Sequence, residues 1–239
     1  MVDIKKYRII QIFQENPMSK TMRMEPLEGR RFDFKPGQFV MLHLLDASSN
    51  TANLKRAYTI SCSPTAGNYL EVTFKIQGVF TNELAKMREG NLLGVEGPYG
   101  SFVLDESIKD DLVFIAGGLG ITPFRCMLNY IVKKNLPNQV IVFYSSRFYE
   151  NFVSIKDLEE LKERKSNLRY ILTLTGDAVP ENWGGLRGRI DEKMLKENLN
   201  SFDRKVFYIC GPPQMVKEIV EILSRNGVEK DKIKSEGWG

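Results

Sequence analysis

Cysteine and histidine are scarce in this chain. Its 239 residues include one histidine, His43, and three cysteines, Cys62, Cys126 and Cys210. The cysteines are odd in number, far apart and set in apolar or Gly/Pro surroundings, so neither a disulfide framework nor a C-x-x-C metal site is indicated. A Cys-ligated iron–sulfur cluster, which takes about four thiolates, is excluded within this chain. His43 stands in FVMLHLL, an apolar strand pattern, and reads as a packed or edge-strand histidine rather than a catalytic one. No nucleophilic triad and no metal-ligand cluster is evident.

Long apolar runs are absent too. No stretch approaches the roughly 18 consecutive apolar residues of a membrane span. The first residues, MVDIKKYRIIQIFQ, carry neither an apolar signal core nor a small-residue cleavage site, so the expectation is a cytoplasmic protein without a membrane span. Charge of one sign is not concentrated anywhere: 34 basic and 30 acidic residues give a net charge of +4, spread along the chain. That pattern argues against nucleic acid as the partner. With 42% hydrophobic and 27% charged residues, the chain is long enough for one large domain or two small ones.

What is present divides into two textures. Up to about residue 104, short β-branched and aromatic runs (YRIIQIF, FVMLHLL, RAYTISC, YLEVTFKI) alternate with turn material such as Lys35-Pro36-Gly37, a spacing that suits a small antiparallel barrel. One short helical pattern interrupts them, with Thr81 as its expected N-cap and Gly90 as its stop. Beyond the polar segment 105–111, the runs LVFIA, VIVFYSS, LRYILTLT and KVFYIC show little alternation, as strands covered on both faces do. Helical patterns at 123–134, 155–164, 192–198 and 213–226 lie between them, which implies crossovers and a parallel sheet. The expected domains are residues 1–105 and 106–239.

The second domain opens with a strand that runs into Gly117-Gly118-Leu119-Gly120. Glycines permit positive φ and bring backbone N–H groups close to a ligand. Thr122 suits the N-cap of the next helix and Pro123 its first position. Such a turn aims a helix N-terminus at the carboxyl end of the sheet and can cradle a pyrophosphate; close strand–helix packing is the other use of the same glycines. Pro123 stands where G-x-G-x-x-G has its third glycine, and no Gly-Lys-Ser/Thr follows, so this is no triphosphate loop. Cys210-Gly211-Pro212-Pro213 repeats the device after another strand, which points to a binding edge.

In the first domain, Arg56-Ala57-Tyr58-Thr59-Ile60-Ser61 puts a guanidinium and a phenol on one side of a strand, where they suit a phosphate and a flat heterocycle; an ordinary half-buried strand reads the same way. Gly78-Val79-Phe80-Thr81 is a further anion-ready helix start. Gly97-Pro98-Tyr99-Gly100 reads as a tight turn.

In this order, the segments resemble the ferredoxin-NADP reductase superfamily of flavoproteins: R-x-Y-[ST] at Arg56–Thr59, G-x-x-[ST] at Gly78–Thr81, GPYG at Gly97, GGLGITP at Gly117–Pro123, CGPP at Cys210–Pro213, and an acidic-aromatic tail at Glu236–Trp238. The resemblance implies an antiparallel six-stranded β-barrel that binds flavin, over 1–105, followed by an α/β doubly wound parallel sheet that binds NAD(P), over 106–239. It implies that Arg56 pairs with flavin phosphate, that Tyr58 packs on the ring system and that Thr59, with Ile60 and Ser61 beyond it, lines the flavin near its N5. Gly78, Val79, Phe80 and Thr81 would hold the pyrophosphate of FAD, which that helix start favours over FMN. Gly117, Gly118, Gly120, Thr122 and Pro123 would hold the nucleotide's pyrophosphate, while Cys210, Gly211, Pro212 and Glu236 lie beside the nicotinamide. The family usually has serine where this chain has Thr59. Trp238 stands near the place of a tail aromatic that covers the flavin, but Gly239 follows it, and a surface tryptophan is the other reading.

The activity so implied is transfer of hydride from NADPH or NADH to FAD and of electrons onward to a separate small carrier, a ferredoxin, a flavodoxin or an oxygenase component. Reduction of free flavin, or an electron-transfer role inside a larger flavoprotein complex, are the alternatives. Thr59, Cys210 and Glu236 would act at the reacting atoms. Arg147, after the second strand of the sheet, and Arg189, with Arg187, suit the 2′-phosphate of NADPH, a choice the sequence leaves open.

Overall fold

The computed structural model describes residues 4–45 and 54–238. Two compact units emerge: residues up to Leu104 together with Arg125–Lys133, and Asp105–Phe124 together with Lys134 to the C-terminus.

The first unit is built on β1 (Lys5–Asn16), β2 (Ser19–Pro26), β3 (Phe39–Leu44), β4 (Lys55–Thr59), β5 (Leu70–Lys75) and β6 (Leu92–Tyr99), with helix α1 (Gly78–Lys86). The six strands pair antiparallel in the order β4-β3-β6-β1-β2-β5. The two ends of that order meet: Ile60 bridges to Val72 and Ser61 N–H donates to the Glu71 carbonyl at 2.8 Å, which closes the sheet into a barrel. Alternation decides which side chains fill it. Val40, Leu42 and Leu44 of β3 point inward with Leu93 and Val95 of β6, Met22 and Met24 of β2, and Val72 and Phe74 of β5, and Phe80 and Leu84 of α1 join this core. Burial of such side chains contributes roughly 1.5–3 kcal/mol each before the entropy of ordering is subtracted.

The GPYG segment is not a tight turn. Strand β6 continues through it to Tyr99, and the pairing with β3 skips from Met41↔Glu96 to Phe39↔Tyr99. Gly97 and Pro98 occupy that bulge, where proline's missing N–H leaves no ladder bond unmade. On the outer side of this pair, His43 Nε2 lies 2.9 Å from Glu96 Oε2, and the Tyr99 hydroxyl donates to Glu96 Oε1 at 2.6 Å. The lone histidine is thus a partner of a mostly buried carboxylate, and the Tyr99 phenol holds that carboxyl below its usual pKa. A second buried carboxylate, Glu71, accepts from Arg23 and Arg125, with Nη2 and Nη1 at 2.7 Å from its two oxygens.

The second unit contains β7 (Asp111–Gly117), β8 (Val140–Ser146), β9 (Leu168–Leu174), β10 (Leu186–Arg187), β11 (Lys205–Gly211) and β12 (Ile233–Gly237), all parallel, in the order β10-β9-β8-β7-β11-β12. Helices α2 (Ile121–Lys134), α3 (Ile155–Arg164), α4 (Glu192–Leu199) and α5 (Pro213–Arg225) connect them, with residues 125–133 of α2 grouped in the first unit. Val113, Ile115, Phe143, Phe207 and Ile209 pack on α4 and α5. On the other face, the Phe114 ring stacks on Phe124 with centroids 4.9 Å apart, and Tyr144 meets Phe152 at 4.7 Å. Cover on both faces is why these strands read as unbroken apolar runs. The order reverses between β7 and β11, so the switch point lies at their carboxyl ends. No helix of the described residues is long and apolar enough to cross a membrane.

Candidate functional site

Strand β4 carries the R-x-Y-T segment. Its register with β3, Leu42↔Arg56 and Val40↔Tyr58, puts Arg56 and Tyr58 on the side of two inward-facing residues. The Arg56 guanidinium is exposed and, among the described residues, bonds only to its neighbour's carbonyl, at 2.8 Å, and has no carboxylate partner. Tyr58 is half-buried, with its ring stacked on Phe80 at 5.9 Å and edge-on to Phe74 at 6.3 Å, and burial pushes its phenol up to about 12. Thr59 is only 8% exposed, and its hydroxyl bonds to no described residue. Ile60 and Ser61 are fully buried; the Ile60 N–H donates to the Gln38 carbonyl and the Ser61 hydroxyl accepts from Arg125 at 3.3 Å, so both shape the strand from within the fold.

Helix α1 begins at Gly78, so its N-cap is Gln77 and not Thr81. Thr81 lies in the first turn, where its hydroxyl accepts from Gln77 N–H at 2.7 Å and donates to the Gln77 carbonyl. A threonine hydroxyl that can fold back on the preceding residue competes with the capping geometry. Gly78 has φ +78°, with open space where a Cβ would point; Val79 beside it is exposed and Phe80 is buried under Tyr58. No side chain caps this N-terminus and no acid stands in its first turn.

In the second unit the two glycine turns come together. A Cβ on Gly120 would fall 2.1 Å from the Cys210 carbonyl oxygen, and one on Gly211 would fall 3.0 Å from the Gly117 nitrogen. Gly118, at φ +55°, has open space around the same imagined atom. Gly120 is therefore a packing glycine, whereas Gly118 leaves backbone open to a ligand. A short 3-10 turn over Gly118–Gly120 precedes α2, so Thr122 and Pro123 stand at the second and third helical positions rather than at the N-cap and the first. The Thr122 hydroxyl donates to the Leu119 carbonyl at 2.7 Å and pins that turn. Met215, not singled out by the sequence, sits beside both Gly117 and Gly211.

Helix N-termini sort into two kinds. Those of α3 and α4 carry Asp157 and Glu192 in their first turns, and Asp191 caps α4 by accepting from Met194 N–H at 2.8 Å. Those of α1, α2 and α5, the three at glycine turns, carry no acid, and α5 starts at Pro213 with no side-chain cap. The positive ends of these three are left for an anion from elsewhere.

Around the switch point, Cys210 is fully buried and register-paired with Glu236, as Gly211 is with Gly237. Burial, with Glu236 adding to it, pushes the Cys210 thiol up, and burial raises the Glu236 carboxyl. The Trp238 indole N–H donates to Glu236 Oε2 at 2.9 Å and its backbone N–H to the Gly211 carbonyl, next to Pro212, so the tail is tied to this edge. Gly239 lies outside the described residues. Arg147 follows β8, exposed, its guanidinium over the Phe148 ring at 5.2 Å and without a carboxylate partner among the described residues. Arg189 instead pairs with Glu218 of α5 at 3.8 Å, a surface pair worth little.

The residues present therefore fit a flavin nucleotide in the first unit and a second nucleotide in the other. Comparison with known proteins gives the same assignment: residues 14–104 match the family model of the oxidoreductase FAD-binding domain and residues 114–221 that of the oxidoreductase NAD-binding domain. The gamma subunit of sulfhydrogenase 1 from Pyrococcus furiosus is 30% identical over 87% of this chain and 70% of its own length. The glycine betaine monooxygenase reductase subunit of Chromohalobacter salexigens is 28% identical over 97% of this chain, which spans 63% of that relative. A Neisseria gonorrhoeae ferredoxin NADP+ reductase, solved with bound FAD and NADP, superposes with a TM-score of 0.82 at 25% identity over 99% of each chain. The chain belongs to the ferredoxin-NADP reductase superfamily.

Proposed function

We propose that the chain is an FAD-dependent NAD(P)H oxidoreductase that serves a separate electron carrier. The observation that carries this reading is the sorting of the helix N-termini: three glycine-led ones carry no acid in their first turns, one in the FAD-binding domain and two at the switch point of the NAD-binding domain. Bound FAD supplies the redox chemistry, accepting two electrons as hydride and releasing them singly or in pairs. The protein's share is positioning and electrostatics. Arg56 meets the flavin nucleotide's phosphate and the first turn of α1 receives its pyrophosphate with backbone N–H groups. The Tyr58 ring, held by Phe80 and Phe74, offers a rigid flat face to the isoalloxazine, and Thr59 supplies the hydroxyl at its N5. Gly117–Thr122 and the Cys210–Pro213 turn hold the nicotinamide nucleotide, with Cys210 and Glu236 at its reactive end.

The acceptor in this reading lies outside this stretch of sequence, because its cysteines are dispersed and buried and no metal-binding group of side chains occurs among the described residues. A ferredoxin, a flavodoxin or an oxygenase component fits, in line with the reductase subunits among its relatives, and a cytoplasmic location is part of the reading. Similarity to a sulfhydrogenase gamma subunit favours, as second reading, service within a larger complex. Steady-state turnover of the purified chain with NADH or NADPH and ferricyanide tests the first: turnover with at least one nucleotide is expected, and none with either would contradict it.

Two substitutions probe the binding residues. Arg56→Ala is expected to weaken flavin binding about thirtyfold, the worth of a charge-assisted contact of ~2 kcal/mol, measured by fluorescence titration of the apoprotein. Unchanged affinity would remove Arg56 from the site. Arg147→Ala is expected to raise KM for NADPH about tenfold and that for NADH less than about twofold, because a free guanidinium answers a 2′-phosphate and not a hydroxyl. Equal changes would assign Arg147 elsewhere.

A further inference from the structure

The seam that closes the barrel runs through the residues just after Thr59. Regular pairing of β4 ends at Thr59, and beyond it the chain is held by single contacts: the Ile60–Val72 bridge, Ile60 N–H to the Gln38 carbonyl at 3.0 Å, and Ser61 N–H to the Glu71 carbonyl at 2.8 Å. The Glu71 side chain, 3% exposed, lies at this seam between two guanidinium groups. Arg23 of β2 directs Nε, at 2.8 Å, and Nη2, at 2.7 Å, to Glu71 Oε1, and its guanidinium lies over the rings of Phe13 and Tyr69. Arg125, in the part of α2 that groups with the barrel, directs Nη1 to Glu71 Oε2 at 2.7 Å, and the same nitrogen donates to the Ser61 hydroxyl at 3.3 Å. The two arginines therefore differ in one respect. Both hold Glu71, but only Arg125 also holds the strand that carries Thr59.

One guanidinium suffices to neutralise one carboxylate, and Arg23 supplies it through two nitrogens. Burying a second one, with its side chain 16% exposed, costs desolvation that charge balance does not call for. What the second cation adds is a link from the carboxylate on β5 to the hydroxyl two residues past Thr59. Resting on the reading that Thr59 serves the flavin N5, we propose that Arg125 is a positioning residue for hydride transfer: by clamping Ser61 to Glu71 it fixes the end of β4, and with it the place of the Thr59 hydroxyl. Arg125 acts through Ser61 and Thr59 and not on the reacting atoms. Small displacements of a group at a reacting centre are costly, which is why a residue two positions removed registers in the rate.

The test is single-turnover reduction of the flavin-loaded full chain, paired with Tm measurements, in a cycle of substitutions. Arg125→Met and Arg23→Met each take one partner from a buried carboxylate, and both lower Tm. Only Arg125→Met slows flavin reduction, by about tenfold, while Arg23→Met stays within about twofold of wild type. In a Thr59→Ala background, Arg125→Met slows reduction by less than about twofold more, because the hydroxyl it places is gone. Ser61→Ala breaks the 3.3 Å contact and leaves Glu71 both guanidinium groups, so it keeps the test standing if Arg125→Met folds poorly. It slows reduction about threefold or more with a smaller loss of Tm. Equal rates in Arg125→Met and Arg23→Met, a wild-type rate in Ser61→Ala, or full multiplication of the two losses in the double variant would overturn the assignment. A wild-type rate in Thr59→Ala alone would remove the reading of Thr59 on which it rests, an outcome distinct from a slow Thr59→Ala beside an unaffected Arg125→Met.

Discussion

Flavin reduction by NAD(P)H should slow about 100-fold to 1,000-fold in Thr59→Ala, the usual cost of removing one preorganised hydrogen-bond group from a reacting centre, while flavin stays bound. Thr59 ends β4, three residues after Arg56 and one after Tyr58, on a strand whose continuation is locked by the Ile60–Val72 bridge and by the bonds from Ile60 to Gln38 and from Ser61 to Glu71. The residue is consequently held in place by the strand and mostly buried, and its hydroxyl is unbonded to any described residue. Removing a group that bonds to nothing in the protein leaves no protein partner orphaned, so its loss should register in rate rather than in stability. Stopped-flow reduction under single-turnover conditions measures it. Thr59→Ser, which keeps the hydroxyl and restores the residue more usual in the family, should stay within about threefold of wild type. An unaltered rate in Thr59→Ala would refute the role.

Gly120→Val should destabilise the NAD-binding domain by about 3 kcal/mol or more, at the upper end of overpacking penalties, and abolish nucleotide binding. The reason is one distance: the first side-chain carbon would stand 2.1 Å from the Cys210 carbonyl oxygen, 2.5 Å from its carbon and 2.8 Å from the Gly211 nitrogen. All three are backbone atoms of β11, bonded into the sheet between β7 and β12, and cannot move aside without unpairing a strand. The other way out is to displace the 3-10 turn and with it the first turn of α2. A Tm lowered by roughly 10 °C follows from that cost in a domain of this size. Gly118→Ala makes the contrast: the space there is open, so only the left-handed φ resists, at about 1 kcal/mol. Equal Tm values for Gly120→Val and wild type would mean that the two turns are not packed as described.

The four apolar runs of the NAD-binding domain were legible because each is covered on both faces, and α3, α4 and α5 begin and end within two residues of their expected positions. Strands with little apolar content were not. SKTMRMEP buries Met22 and Met24 among charged residues that decorate the outer face, and IKSEG is held to β11 by backbone pairing along one edge, so neither carries the β-branched signal of a strand. Thr81 and Thr122 have the right chemistry for N-caps and the wrong position: Thr81 is the fourth residue of α1 and Thr122 the second of α2, and each hydroxyl bonds back to a preceding backbone carbonyl. Within the site, residue types and order were readable: the glycines, Arg56, Tyr58, Thr59. Which hydroxyls are engaged and which are left over was not, since Thr59 and Ser61 stand two residues apart in one run and differ in what surrounds them. The Glu71 pairs with Arg23 and Arg125 join residues 48 and 54 apart, beyond any local pattern.

The most direct test is anaerobic titration of the purified, flavin-loaded chain with NADH and, separately, NADPH, followed at the visible absorption of the flavin. Complete bleaching by about one equivalent of at least one nucleotide is the predicted result, as two electrons pass per nucleotide. A correctly folded protein that binds no FAD, or whose bound flavin stays oxidised with both nucleotides, would contradict the account.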